Sequence, residues 1–199
     1  MCCKLRAIPL IVATFATLAA ASPTPTPEPA GEKRIPNAVV GVKVIFRNDK
    51  GEILLVFDDR RQAWEVPGGS HQGQATARNL IDTLASELGI SYTDLRLGGL
   101  FTYHNAESGT TIVRPYYTAE FRGFLETGSS KEVVKSNWFN LAEAKKVIPY
   151  PASVQILERL SRQPEHVWAA AFEEYGYTSP MTDRTAVKFR VLEDFYELK

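Results

Sequence analysis

Cysteine is almost absent from this chain: two in 199 residues, both at the extreme start, Cys2 and Cys3. A domain that begins after them has neither a disulfide framework nor a thiolate zinc site, so it must be held by its core. Histidine is also scarce, with His71, His104 and His166 alone, and no Ser-His-Asp arrangement is legible. Neither sign of charge prevails: 23 basic residues face 23 acidic ones. Setting aside Lys4, Arg6, Lys33, Arg34, Glu28 and Glu32 leaves 19 against 21 from Ile35 onward. With no basic stripe, a nucleic acid duplex is not an expected partner. No Asn-x-Ser/Thr sequon occurs. No apolar run reaches the roughly 20 residues that a membrane span needs.

The beginning is nonetheless organised. Lys4 and Arg6 precede an apolar run from Ala7 to Ala21 that contains Pro9, and Ala19 and Ala21 have the spacing of a cleavage site. This is the layout of a secretory signal peptide over 1–21. Residues 22–34 are rich in Pro, Thr and Ala and read as an extended linker or pro-segment. They close on Lys33-Arg34, which fits a processing-protease site as well as an ordinary charged linker. The expectation is a secreted, extracellular domain with no membrane anchor after processing.

From Ala38 to Arg47 the chain alternates and is rich in Val and Ile, which predicts a strand. Asn48 to Gly51 is a turn, and Glu52 to Phe57 returns as a hairpin. After the charged loop Asp58 to Arg61 comes Trp64-Glu65-Val66-Pro67-Gly68-Gly69, an apolar segment cut by glycine. Beyond Gly73, apolar residues at Ala77, Leu80, Ile81, Leu84, Ala85 and Leu88 recur at helical spacing, and Gly89 is the expected stop. Thr76, Asn79, Thr83, Ser86 and Glu87 fall on the other side of that helix. Leu95 to His104 and Thr111 to Phe124 read as strands joined by a turn-rich loop, with Tyr116 and Tyr117 on opposite faces. A Trp138-Phe139-Asn140 segment, a short helix from Leu141 to Val147 and an amphipathic helix from Ser153 to Leu160 follow.

The stretch from Trp64 to Ile90 resembles the Nudix box, the motif of hydrolases acting on nucleoside diphosphates linked to another moiety. WEVPGG, Leu84 and Leu88-Gly89-Ile90 carry the resemblance, and the order of hairpin, strand and helix extends it over residues 35–163. It implies an α/β fold, a Nudix-type α/β/α sandwich with a mixed β-sheet. With the closing glycine at Gly89, the family's four acids fall on Gln74, Thr83, Ser86 and Glu87, so Glu87 alone is present. Asp82 stands at the family's arginine, about 100° around the helix from Thr83, and reads as a solvated helix residue.

Diphosphate cleavage in this family calls on Mg or Mn, hard cations that take carboxylate oxygens and activate a water. The resemblance implies Glu87 as metal ligand, and Glu87 with Glu132 as catalytic acids. Read from the residues alone, Glu132 is a surface loop glutamate before it is a catalytic acid. On the substrate side it implies Glu65, Gly68, Gly69, Gln74 and Arg114; Arg60 and Arg114 are the arginines singled out for phosphate. Two hydroxyls where carboxylates belong make weak or lost hydrolysis the expectation. The alternative is an inactive module that binds a phosphorylated small molecule or a protein partner.

Residues 164–199 match no family pattern. His166 to Tyr175 (HVWAAAFEEY) reads as a helix, and Val187, Val191, Leu192, Phe195 and Leu198 form an apolar stripe, so a C-terminal helical extension is expected. Its stripe suits docking on its own domain or on a partner.

Overall fold

A computed structural model describes residues 39–70, 76–106, 108–125, 135–176 and 186–199. The expected leader and linker (1–34), His71, Gln74 and Glu132 lie outside the described residues. Strands β1 (Val39–Arg47), β2 (Ile53–Asp58), β3 (Ala63–Glu65) and β4 (Gly68–Ser70) lead into helix α1 (Ala77–Glu87). Strands β5 (Ile90–Asn105), β6 (Thr111–Phe124) and β7 (Ser136–Phe139) precede helices α2 (Leu141–Val147) and α3 (Pro151–Arg162). Strands β8 (Trp168–Tyr175) and β9 (Lys188–Glu197) complete the chain.

All nine described strands join one mixed sheet in the order β3-β2-β1-β6-β5-β8-β9, with β4 against β1 and β7 against β2. The pairs β1·β6 and β5·β8 are parallel, the others antiparallel. Alternation along β1 builds a core on each face. Val42, Val44 and Phe46 pack with Ile81 and Ala85 of α1, while Ile45 joins Phe101, Tyr116 and the α3 residues Ile156, Leu157 and Leu160 on the other. Tyr117 and Tyr116 divide between the two faces in the same way, as expected from their adjacency.

Helix α1 starts where a side chain can satisfy its first amides. Thr76 and Asn79 form a capping box, the Thr76 side chain accepting from the Asn79 amide. It stops where Gly89 takes φ +65° and its amide reaches the Ser86 carbonyl at 3.1 Å. Helix α2 repeats the device with Asn140 and Glu143.

The expected helical extension is corrected by the structure: 168–175 and 188–197 are strands of the same sheet. The run of three alanines favours a helix by propensity, yet Ala170, Phe172 and Glu174 bury on one side at a period of two. Phe172 meets Tyr103, Phe189 and Phe195 with ring centres 5.8 to 6.1 Å apart. Strand β5 supplies a parallel ladder from Gly99 to Asn105, which only an extended β8 can complete.

Candidate active site

Two sets of polar residues lie on opposite faces of the sheet. The first is the outer side of α1. Thr83, Ser86 and Glu87 are exposed at helical positions i, i+3 and i+4, as expected. Thr83 donates its hydroxyl to the Asn79 carbonyl at 2.9 Å, so its proton is committed to the helix itself. Asp82 is exposed, and its carboxylate accepts from the Tyr92 hydroxyl at 2.5 Å. Burial and this bond push the Tyr92 pKa up to about 12. Arg78, Asp82, Ser86, Ser91 and Tyr92 border a shallow depression of about 300 Å³ beside the end of the helix.

These residues do not fit a magnesium or manganese centre. Such ions want several carboxylate or carbonyl oxygens, and this face offers Glu87 with two hydroxyls. Among the described residues no three of His, Cys, Asp and Glu are placed so that they could hold a metal ion.

The second set lies on the α3 face. Lys43 interrupts the apolar run of β1, and its side chain, 14 % exposed, crosses beneath β4. Its ammonium donates to Glu65 Oε2 and to the Val66 carbonyl, both at 2.9 Å. The Lys43 pKa is lowered, first by burial, with Glu65 opposing and Arg114 and Arg61 adding repulsion. Arg114 holds its guanidinium 4.4 Å from the centre of the Tyr103 ring. Behind it Tyr103 and Tyr116 share a hydroxyl hydrogen bond of 3.1 Å, and burial raises both of their pKa values. Arg61 lies close enough to Tyr150 for the two to interact electrostatically, and burial raises the Tyr150 pKa.

The glycine turn makes this crossing possible. An added Cβ at Gly68 would stand 2.4 Å from Lys43 Cδ and 2.5 Å from the Val42 carbonyl oxygen. At Gly69 it would meet Leu80 Cδ1 at 3.2 Å. The pair therefore lets β4 slide between β1 and α1, with Lys43 opposite Gly68 and Val42 opposite Gly69.

Of the residues anticipated from sequence, the structure gathers Glu65, Gly68 and Arg114 around Lys43. Glu87 belongs to the helix on the opposite face. Arg60 is exposed beside Asp58; its neighbour Arg61 joins the cluster instead. Lys43 and Tyr150 were not anticipated, although a lone lysine inside VVGVKVIF was a visible signal.

Comparison with known proteins agrees with this architecture. The model of the NUDIX domain matches residues 38–160. The fold is similar to that of the MutT protein from Bacillus halodurans, at 16 % identity and a TM-score of 0.59, covering 77 % of this chain and 97 % of that one. It is also similar to a NUDIX hydrolase from Nitrosomonas europaea, at 20 % identity and a TM-score of 0.52, covering 64 % and 90 %. No curated protein matches by sequence. The family match takes in well over half of the chain, including both strands of the hairpin, the glycine turn, α1 and all but the last two residues of α3. This chain belongs to the Nudix family.

Proposed function

We propose that this protein works outside the cell as a Nudix-fold receptor for a nucleoside diphosphate derivative or related phosphorylated small molecule, with the family's metal-dependent hydrolysis weak or lost. One observation carries the reading. The face of α1 that would hold the metal presents Thr83 and Ser86, and the Thr83 hydroxyl is spent on the Asn79 carbonyl. Phosphate recognition has support on the other face, where Arg61, Arg114 and Glu65 surround Lys43. Guanidinium groups pair with phosphate oxygens bidentately, so Arg61 and Arg114 are the residues assigned to the ligand.

The test is a thermal-shift panel of nucleoside diphosphate compounds, run with and without magnesium or manganese beside an assay of phosphate release. A ligand at a hundred times its Kd adds about 2.7 kcal/mol, or about 5–11 °C in a domain of this size. The expected outcome is stabilisation that needs no metal, weakened by Arg114→Ala, with no release of phosphate. Metal-dependent turnover that Glu87→Gln abolishes would show instead that Glu87 works with substitute ligands.

A further inference from the structure

Strand β9 closes the sheet order, and among the described residues no strand pairs its outer side. It is ten residues long, Lys188 to Glu197, so about half of its N–H and C=O groups point away from β8. Edges of this length are usually kept short, bent or covered, because an open ladder is a template for another strand. Here the exposed edge also carries apolar side chains: Val191 is 42 % exposed, Leu192 51 % and Tyr196 43 %. Phe189 and Phe195 turn inward to the core of the α3 face, which holds the strand in place.

Five of its ten residues are charged, and charge on an edge ordinarily prevents pairing. In β9 the charges are sorted by sign. Lys188 and Arg190 occupy the first half; Glu193, Asp194 and Glu197 the second. A parallel partner with this sequence would set like charges side by side. An antiparallel copy sets the basic half of each strand against the acidic half of the other, with Val191 and Leu192 near the two-fold axis. Opposite charges across a strand pair are favourable and like charges are not.

We infer that β9 is a self-association edge: two copies of this chain pair their β9 strands antiparallel and join their sheets into one. The symmetric arrangement closes on itself, so it yields a dimer rather than a filament. This inference is independent of the ligand reading above, since it uses no residue of the Lys43 cluster or of α1.

Sedimentation velocity of the full chain tests it, using two charge variants and their mixture. Lys188→Glu with Arg190→Glu makes the strand wholly acidic; Glu193→Lys with Asp194→Lys makes its centre basic. The wild-type chain is expected to sediment as a dimer that weakens as salt rises. Each variant alone is expected to be a monomer, and the equimolar mixture to recover the dimer with one copy of each.

Because Arg190 also bonds Glu173 at 2.8 Å, circular dichroism melts of both variants check that the fold survives. Leu192→Lys is the second probe: it leaves that ion pair intact, changes a half-exposed side chain, and is expected to abolish the dimer. A wild-type monomer throughout the micromolar range overturns the inference. So does dimerisation retained by Leu192→Lys, or a mixture of two folded charge variants that stays monomeric.

Discussion

Replacing Gly68 by alanine is the sharpest probe of how the glycine turn and Lys43 depend on each other. The new Cβ would press on Lys43 Cδ at 2.4 Å and on the Val42 carbonyl at 2.5 Å. Val42 belongs to β1 and is 1 % exposed, so its carbonyl has nowhere to go. Lys43 can swing aside only by leaving Glu65 and Val66. Overpacking of this kind costs about 1–3 kcal/mol. Breaking a charge-assisted hydrogen bond in a mostly buried setting adds about 1.5–3 kcal/mol. A total near 4 kcal/mol lowers the melting temperature by about 8–16 °C for a chain of this length. Gly69→Ala meets only the end of the Leu80 side chain, at 3.2 Å. Turning that side chain costs about 0.5–1.5 kcal/mol, or about 1–6 °C. Calorimetric melts of the two variants side by side decide the matter. If Gly68→Ala melts within about 2 °C of wild type, or if Gly69→Ala is the worse of the two, Lys43 is not wedged beneath β4 as described.

Further outcomes follow from other contacts. Tyr103 and Tyr116 have folded pKa values above 10.0, so their contribution is intact below the unfolded value near 10 and is lost as pH rises from there toward the folded values. Urea melts at stepped alkaline pH should show that decline, with a smaller slope in Tyr103→Phe; an unchanged slope would exclude Tyr103 as a source. Lys43 acts in the opposite sense. Its folded pKa is depressed, so the unfolded chain holds the extra proton between that value and 10.5, and its own contribution to stability rises with pH through that window. The stability difference between wild type and Lys43→Met should therefore shift in favour of wild type there. Phe172→Ala, at a fully buried ring, is expected to cost about 3–5 kcal/mol in denaturant melts, because β8 docks through it. Thr76→Ala removes one side of the α1 capping box and should cost about 1 kcal/mol by the same assay.

The parts of the fold that sequence made legible are those where local pattern and tertiary demand coincide. In α1 the positions spaced for a helix, Ile81 and Ala85 among them, are the ones that meet Val42, Val44 and Phe46. Gly89 is needed both to end the helix and to turn into β5. For β8 the two demands diverge. Three alanines and two glutamates favour a helix, and the strand exists because β5 and β9 offer ladders from either side. No reading of residues 166–175 alone contains those partners. The Lys43 cluster was hidden for a related reason: Glu65, Arg61 and Arg114 become its neighbours only once the β1·β4 and β1·β6 registers are set. Glu87 was visible because it sits in a motif, and a motif records spacing along one helix rather than what stands across from it.

The same division separates the residues of this segment that pack from those that face outward, and it makes the proposed loss of the metal site testable. Gly68, Gly69, Leu80, Ile81, Ala85 and Gly89 all face something: a strand, a helix or a turn. Thr83, Ser86 and Glu87 face outward. Thr83→Glu with Ser86→Glu should then leave the core untouched, since surface changes stay within about 0.5 kcal/mol apiece. A new glutamate at 83 stands i, i+4 from Glu87, a like-charge pair that costs about 0.2–0.5 kcal/mol. Without metal the double variant should therefore melt slightly below wild type. Magnesium should reverse the order, because three carboxylates on one helical face bind a hard cation and the repulsion that separated them becomes affinity. A double variant that folds and yet gains no stability from magnesium would mean that residues 83, 86 and 87 do not converge on one ion, and would overturn the register on which the proposed loss of the metal rests.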